Sequence, residues 1–409
     1  MVLQDAAAED AKPQADAFRQ EVRAFLAANL TRDLKEAPRT SLLINEVPQQ
    51  RWHRILAAQG WATPSWPVEF GGTGWSAEQH QIFEEELSLA NAPPLSAFLE
   101  MIGPVLYTFG DKAQIDRHLA PLQTGEVLWC QGYSEPGSGS DLASLRTRAV
   151  KDGDDYIVNG QKIWSTYAHQ ASWMFALVRT SSEGRPQSGI SFLLIDMATP
   201  GITIRPIRSI DGLHHLNEVF FSDVRVPISN LVGAENAGWS IAKFLLEHER
   251  SGVGSLLTLK GQLDRVRAVA DAAFDLSDPE QAREHGAIDY ALCECEITLQ
   301  GLDALNQRQS ALSQRGAAHP AGPSMMKLAV TELQQKIAEL GVRALGVDAL
   351  RDQAEFVEDY RPELMRGAPD GALVMLHYLF GRAFTILGGT SEIQRNLIFR
   401  NVGASASAP

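Results

Sequence analysis

The secondary-structure signal of this 409-residue chain changes twice along its length. Apolar residues recur at helical spacing as far as about residue 125, for example at Phe18, Val22 and Leu26. The pattern then becomes short β-branched runs bounded by Gly, Pro and Asp, which is typical of antiparallel strands. Helical spacing returns after residue 236 and continues to the end. We therefore predict a helical domain over residues 1–125, a β-rich domain over 126–235 and a second helical domain over 236–409.

This order predicts an α+β multidomain protein. The clearest strand patterns begin at Tyr156, Trp173, Ile190, Ile202 and Glu218, and they indicate a small barrel or sandwich in the middle of the chain. Long amphipathic stretches follow over residues 238–273, 280–313, 322–347 and 371–400. Four such stretches joined by modest loops predict a four-helix bundle at the C-terminal end.

Charge and composition exclude several classes of partner. The chain has 36 Lys and Arg against 50 Asp and Glu, so its net charge of −14 repels nucleic acid and anionic lipid. Its apolar runs are much shorter than the roughly 20 residues that cross a bilayer. The first ten residues lack the basic start and apolar core of a signal peptide, which predicts a cytoplasmic protein. Its His and Cys residues lack metal-ligand spacing, so we expect no metal site.

A loop dense in glycine and serine follows the first predicted strand residues of the middle domain. It reads Tyr133-Ser-Glu-Pro-Gly-Ser-Gly-Ser-Asp141. Backbone amides at Gly137 and Gly139, together with the Ser hydroxyls, can cradle a phosphate or a ring carbonyl. An ordinary Gly/Ser turn explains the same residues equally well. The residues alone leave both interpretations open.

Three stretches together resemble the signatures of the FAD-dependent acyl-CoA dehydrogenases. They are Tyr133–Asp141, Asn159-Gly-Gln-Lys-Ile-Trp-Ser-Thr166 and Gly389-Thr-Ser-Glu-Ile-Gln-Arg395, and they occur within the same α, β, α order. The stretches around Trp129 and from Asn217 to Pro227 are most similar to bacterial pimeloyl-CoA dehydrogenase large subunits and to steroid side-chain enzymes. The resemblance covers essentially the whole chain.

The resemblance implies FAD as cofactor and assigns residues to it. Tyr133 and Ser134 are expected at the polar edge of the flavin ring, Ser140 at the pyrophosphate, Trp164 against the ring and Thr166 near N5. The full set of cofactor-binding residues is Tyr133, Ser134, Gly139, Ser140, Trp164, Thr166, Thr390 and Glu392. A core aromatic on a strand is the alternative interpretation of Trp164. The chain departs from the family at Tyr167, where Asn is common.

The expected catalytic base lies at an unusual place. Many family members have the glutamate directly before the Gly-Thr of the third stretch, but this chain has Gly388 there. A minority place it in the first helix of the C-terminal domain, directly before an arginine, and Glu249 followed by Arg250 matches that arrangement. We expect Glu249 as the base and Arg250 as a substrate-binding residue. Glu247 is a weaker candidate, and a solvated helix face is the alternative for the whole group.

The resemblance implies conversion of an acyl-CoA to a 2-enoyl-CoA, with electron-transferring flavoprotein as electron acceptor. A flavin oxidase or monooxygenase on the same fold and a non-catalytic subunit are the alternatives. Family homotetramers share flavin sites through Arg-x-x-Phe-Gly and Gln-x-x-Gly-Gly-x-Gly stretches. Neither occurs here: residues 263–300 lack the first, and residues 348–373 have no Gly-Gly pair. We therefore expect an oligomer, formed either by this chain alone or with a second acyl-CoA-dehydrogenase-like chain.

Overall fold

The computed structural model describes residues 2–36, 46–252, 256–352 and 371–406. Its helical N-terminal part, central sheet and helical C-terminal part follow the predicted order. The α+β fold class is confirmed, while the positions of the two domain boundaries stay predictions. No helix within the described ranges combines the length and the apolar character needed to cross a membrane.

Helices pack around a tryptophan-rich core in the N-terminal part. The helices are α1 Val2–Asn29, α2 Arg32–Glu36, α3 Glu46–Gln59, α4 Ala77–Leu89, α5 Phe98–Phe109 and α6 Lys112–Gln123. Ser76 begins α4 with a capping box, because its side chain accepts from the Gln79 backbone while the Gln79 side chain accepts in return. Asp111 begins α6 in the same way. These caps satisfy backbone N–H groups that a helix start leaves unpaired.

Eight strands form one sheet in the middle of the described chain. They are β1 Trp129–Gly132, β2 Arg148–Asp152, β3 Asp155–Lys162, β4 Trp173–Arg179, β5 Ile190–Asp196, β6 Ile202–Arg208, β7 His214–Pro227 and β8 Leu231–Val232. The order across the sheet is β6-β7-β3-β2-β4-β5-β8, with β1 beside β4. β1 and β2 pair with β4 in parallel, whereas the other neighbours are antiparallel.

The central strands are buried on both faces. Phe175 and Leu177 of β4 belong to the core cluster that includes residues of α5 and α6. Met174 and Ala176 alternate with them and belong to a second cluster, formed with β3, β5 and β7. Side chains of a strand point alternately to opposite faces, so a strand covered on both sides reads as a continuous apolar run. This explains the sequence around Trp173.

The C-terminal part contains more helices than the four predicted stretches. They are α7 Gly238–Gly252, α8 Leu256–Ala273, α9 Pro279–Gln314, α10 Gly322–Leu345, α11 Gly371–Gly381 and α12 Ser391–Ala406. Within the described residues, the stretch 238–273 contains α7 and α8, and the stretch 371–400 is divided by a turn. Gly388 and Gly389 in that turn have φ values of 62° and 89°, which no continuous helix accommodates. The predicted bundle is present with this subdivision.

Candidate active site

The glycine- and serine-rich loop begins where β1 ends. Tyr133 is buried, and its ring packs edge-on against Phe175 and Phe192 at centroid distances of 6.0 and 6.4 Å. Glu135 and Ser138 exchange two backbone hydrogen bonds of 3.1 and 3.0 Å, which close a tight turn. Beyond that turn Gly139 and Ser140 are exposed, whereas Ser134 before it is half-buried. The loop therefore has a fixed base and an open tip.

A buried ion pair fixes the base of this loop. Lys162 Nζ donates to Glu135 Oε1 at 2.8 Å and to the Tyr133 carbonyl at 3.1 Å. The Glu135 carboxylate also accepts from the backbone N–H groups of Arg146 and Thr147 at 2.6 and 2.8 Å. Burial lowers the pKa of Lys162 to about 8, partly offset by Glu135. Burial alone would raise the pKa of Glu135, but Lys162 and the N–H donors lower it. Both groups are therefore charged at neutral pH.

The second signature stretch meets the first directly. Ile163, just after β3, donates its N–H to the Ser134 carbonyl at 2.9 Å. Trp164 follows with its side chain 56% exposed, which is unusual for so large an apolar residue, and Thr166 is half-buried. The alternative of a core aromatic is therefore wrong for Trp164. The structure brings Tyr133, Ser134, Trp164 and Thr166 to one region.

Two bulky residues of this stretch adopt left-handed backbone conformations. Trp164 has φ 61° and Tyr167 has φ 57°. A residue with a Cβ pays about 1–2 kcal/mol in this region, and Asn tolerates it best among the non-glycine residues. Both the common Asn of the family and the Tyr167 of this chain can occupy this turn, but Asn does so with less backbone strain. Such strain persists where surrounding contacts enforce it.

The third stretch lies in the C-terminal helices. Thr390 starts α12, where its hydroxyl accepts from the Ile393 N–H at 3.3 Å. The N–H of Glu392 and the Thr390 hydroxyl lower the pKa of the exposed Glu392 carboxyl. Lys327 of α10 and Gln394 both donate to the Gly389 carbonyl, at 2.8 and 3.1 Å. These contacts place Thr390 and Glu392 within the C-terminal part, and no described hydrogen bond joins them to the first two stretches.

Glu249 and Arg250 fall in the final turns of α7. Their side chains, like those of Glu247 and His248, lie outside the described residues. Earlier residues of the helix are described: Ile241 and Leu245 belong to the same buried cluster as Tyr133. Helix α7 therefore packs on the core that supports the first signature loop.

Comparison with known proteins agrees with this geometry. Three family models match consecutive parts of the chain: the acyl-CoA dehydrogenase N-terminal domain at residues 12–126, the middle domain at 130–224 and the C-terminal domain at 236–403. The chain is 36% identical to acyl-CoA dehydrogenase IpdE1 of Mycobacterium tuberculosis over 397 residues, covering 94% of this chain and 96% of the relative.

The chain belongs to the acyl-CoA dehydrogenase family. Among solved structures it is similar to the ChsE4-ChsE5 complex of Mycobacterium tuberculosis, with 31% identity, a TM-score of 0.76 and coverage of 96% of this chain and 97% of that one. It is also similar to the Tcur3481-Tcur3483 steroid acyl-CoA dehydrogenase, with 26% identity, a TM-score of 0.78 and 97% coverage of each chain. The resemblance to this family seen in the sequence is confirmed.

This acyl-CoA dehydrogenase is an FAD-dependent oxidoreductase that acts on acyl-CoA thioesters, as its family and relatives show. Its own residues fit the cofactor. A Cβ built on Gly137 or Gly139 meets no atom within 4 Å, so the loop tip leaves room for a ligand. The buried hydroxyls of Ser138 and Ser165 have no hydrogen-bond partner in the described part of the chain. A polar ligand would satisfy such groups.

Sequence reasoning missed several residues of this region. Ser165 and Asn217 stand inside motifs that were quoted, yet neither was singled out. Glu135 and Lys162 also lie in quoted stretches, but their pairing across 27 positions has no local signal. The sequence did place opposite charges in two otherwise apolar or glycine-rich motifs. Because buried charges in proteins are usually paired, this could have indicated the ion pair.

Proposed function

We propose that Glu249 removes the α proton of the acyl-CoA and that the product is a 2-enoyl-CoA. Bound FAD supplies the acceptor for the β hydride at its N5. The α proton of a thioester is weakly acidic, so the base works best in a dry site that raises its pKa towards neutrality. The proton moves to the Glu249 carboxylate, and a double bond forms between the α and β carbons.

The register of α7 supports Glu249 over Glu247. Residues four apart share one face of a helix. Ile241 and Leu245 are buried with exposures of 1% and 0%, and position 249 continues this series, whereas position 247 does not. The cluster that contains these two residues also contains Tyr133, which is proposed to line the flavin. This shared cluster is the observation that carries the proposal.

The turn before the third stretch argues against the other family position for the base. Gly388 has no side chain to accept a proton, and its φ of 62° favours glycine. The Gln394 side chain, fully buried, donates to the Gly388 carbonyl at 3.0 Å and so fixes this turn. A base is therefore required elsewhere, and α7 offers the arginine-flanked Glu249.

We propose that Tyr133, Ser134, Gly139, Ser140, Trp164, Thr166, Thr390 and Glu392 hold FAD, with Arg250 contacting substrate. The open loop tip, the exposed Trp164 ring and the unpartnered Ser138 and Ser165 hydroxyls support the assignment for the first two stretches. Thr390 and Glu392 rest on the family motif alone. Hydroxyl and amide donors stabilise the electron density of a reduced flavin, and an aromatic side chain shields its ring from water.

For the substrate we propose an acyl-CoA of the steroid side-chain type. The support is the similarity to the Tcur3481-Tcur3483 steroid acyl-CoA dehydrogenase, at 26% identity over nearly the whole of both chains. Fatty and dicarboxylic acyl-CoAs are the competing classes. We further propose that electron-transferring flavoprotein reoxidises the enzyme in the cytoplasm.

We also propose that the working enzyme is an oligomer, in which a second acyl-CoA-dehydrogenase-like chain completes the flavin site. Two structural neighbours are described as pairs, ChsE4-ChsE5 and Tcur3481-Tcur3483. The C-terminal helices expose large apolar side chains, among them Tyr290, Ile297 and Phe399 at 70%, 69% and 77%. Tyr290 and Ile297 are seven residues apart on α9 and so share a face. Exposed apolar groups of this kind mark interaction surfaces.

The assembly is tested by expressing the chain alone and with a homologous chain. Light scattering gives the mass, and absorbance gives flavin per subunit. A flavin-poor or aggregated product that a co-expressed homologue rescues supports the hetero-oligomer. A stable homo-oligomer with one FAD per chain and full turnover contradicts it.

The activity is tested with the flavin-loaded enzyme under anaerobic conditions. Steroid side-chain, fatty and dicarboxylic acyl-CoAs are added in turn, and bleaching of the flavin absorbance is followed. Reduction by the steroid class, with a 2-enoyl-CoA as product, supports the proposal. Rapid reaction of the reduced flavin with oxygen would favour the oxidase alternative, and no bleaching by any class would favour a non-catalytic subunit.

A further inference from the structure

Asn217 of β7 is fully buried and forms hydrogen bonds in three directions. Its Nδ2 donates to the Ser165 carbonyl and lies 3.0 Å from both that oxygen and His169 Nδ1. Its Oδ1 lies 2.9 Å from His214 Nε2. Its own backbone carbonyl accepts the Ser165 N–H at 3.0 Å. Asn217 thus forms hydrogen bonds with both the N–H and the carbonyl of Ser165, the residue between Trp164 and Thr166.

The carbonyl of Ser165 fixes the orientation of the Asn217 amide. A carbonyl oxygen only accepts, so the Asn217 atom facing it is the NH₂ group. The same NH₂ group faces His169 Nδ1, which must then accept and carry no proton. The Asn217 oxygen faces His214 Nε2, which must donate. The network therefore defines which imidazole nitrogen accepts from the Asn217 amide and which one donates to it.

The two imidazoles reinforce this arrangement by stacking. The His169 and His214 rings lie 4.0 Å apart with an interplanar angle of 25°. The Tyr167 N–H donates to the His215 carbonyl at 2.9 Å, which adds another bond between the same loop and the same strand. The contacts with β7 therefore hold Tyr167 itself and Ser165, the residue after Trp164, and so support the turn in its strained form.

We propose that Asn217 is a positioning residue that holds Trp164 and Thr166 in the conformation that binds FAD. His169 and His214 keep the Asn217 amide in one orientation. The inference rests on the cofactor role proposed for Trp164 and Thr166. Asn217 itself is fully buried behind the loop, and it acts through Ser165. Its removal leaves the loop free to leave the left-handed conformation, so the exposed Trp164 ring no longer holds one orientation.

The test compares Asn217→Ala with Asn230→Ala. Asn230 is also buried in the middle of the chain and donates to a backbone carbonyl, that of Leu194 at 2.9 Å, so it controls for general destabilisation. FAD dissociation constants and the visible circular dichroism of the bound flavin are measured for each variant beside its melting temperature. We expect Asn217→Ala to weaken FAD binding about tenfold, equivalent to about 1.4 kcal/mol, and to change the flavin dichroism. Asn230→Ala should leave both unchanged.

Two further variants keep the test decisive if Asn217→Ala does not fold. Asn217→Asp retains the shape and an acceptor for His214 but cannot donate to Ser165, so it should weaken FAD binding as Ala does. His169→Ala removes an exposed side chain that locks the amide and should weaken FAD binding less. Wild-type affinity and dichroism in Asn217→Asp would overturn the proposal.

Trp164→Ala separates this proposal from the function on which it rests. Loose FAD in Trp164→Ala together with normal FAD in Asn217→Asp refutes only the positioning role. Normal FAD binding in Trp164→Ala refutes the cofactor role of the loop itself. Loose FAD and altered dichroism in both variants, with a normal Asn230→Ala, support both.

Discussion

Removing the Glu135 carboxylate is expected to destabilise the enzyme more than removing the ammonium of its ion-pair partner Lys162. The pair is buried, with side-chain exposures of 0% for Lys162 and 9% for Glu135. Glu135→Gln leaves a buried ammonium without its counter-charge, which costs about 3–5 kcal/mol. Lys162→Met leaves a carboxylate that still accepts from two backbone N–H groups, so we expect a loss of about 1–3 kcal/mol.

The double variant Glu135→Gln/Lys162→Met should lose less than the sum of the single variants by about 1–3 kcal/mol, because it leaves no unpaired buried charge. Denaturant unfolding of the four proteins, followed by fluorescence, gives these free energies. FAD content should fall in both single variants, since the pair fixes the loop that starts at Tyr133. Losses that add within about 0.5 kcal/mol would refute the coupling.

The free energy of unfolding that Glu135→Gln loses should also depend on pH. In the wild type Lys162 has a pKa of about 8, below its ordinary value of 10.5. Without Glu135 the pKa of Lys162 in the folded protein should be lower still. As the pH rises, the folded variant therefore begins to bind fewer protons than its unfolded state at a lower pH than the wild type does. Its stability should therefore rise more steeply between pH 7 and 8 than that of the wild type, in which Lys162 keeps most of its proton until the pH approaches 8. If the stability difference between Glu135→Gln and the wild type is constant across this interval, the unpaired Lys162 ammonium is not its cause.

Three further results are expected. Ser140→Asp should expel FAD, because it places a negative charge beside the pyrophosphate. Ser182→Asp, at an exposed position, is the control and should retain FAD. Full FAD occupancy in Ser140→Asp, read from the absorbance spectrum, would contradict the assignment. Gly389→Ala should lower the melting temperature, because φ is 89° and a Cβ would lie 2.8 Å from Gln394 Nε2; an unchanged value would contradict this. The lowered pKa of Glu135 stabilises the fold above about pH 4.5, and this contribution is lost as the pH falls below that value. The melting temperature should therefore fall more steeply on acidification in the wild type than in the variant lacking both charges, and parallel curves would argue against it.

Much of the fold follows from local sequence pattern. The strand patterns that begin at Tyr156, Trp173, Ile190 and Ile202 correspond to β3, β4, β5 and β6. Pattern alone missed β2 and β8, because strands of five and two residues are too short to show a period. It also treated residues 371–400 as one stretch, which the turn at Gly388 and Gly389 divides.

The candidate site was predictable only in part. Family motifs pointed to Tyr133 and Trp164, and the structure brings their two loops together through the Ile163–Ser134 hydrogen bond. The left-handed φ of Trp164 could not be predicted, because neither its own residue type nor its neighbours favour that conformation. The role of Asn217 depends on contacts across 48 and 52 positions, which have no local signature.

The central claim is that Glu249 is the base, and the reductive half-reaction tests it most directly. Flavin-loaded Glu249→Gln and Glu247→Gln are mixed anaerobically with the acyl-CoA that bleaches the wild type, and the rate of flavin reduction is measured by stopped flow. We predict that Glu249→Gln keeps its FAD and loses several orders of magnitude in rate, while Glu247→Gln stays near the wild type. Equal rates in the two variants would contradict the account.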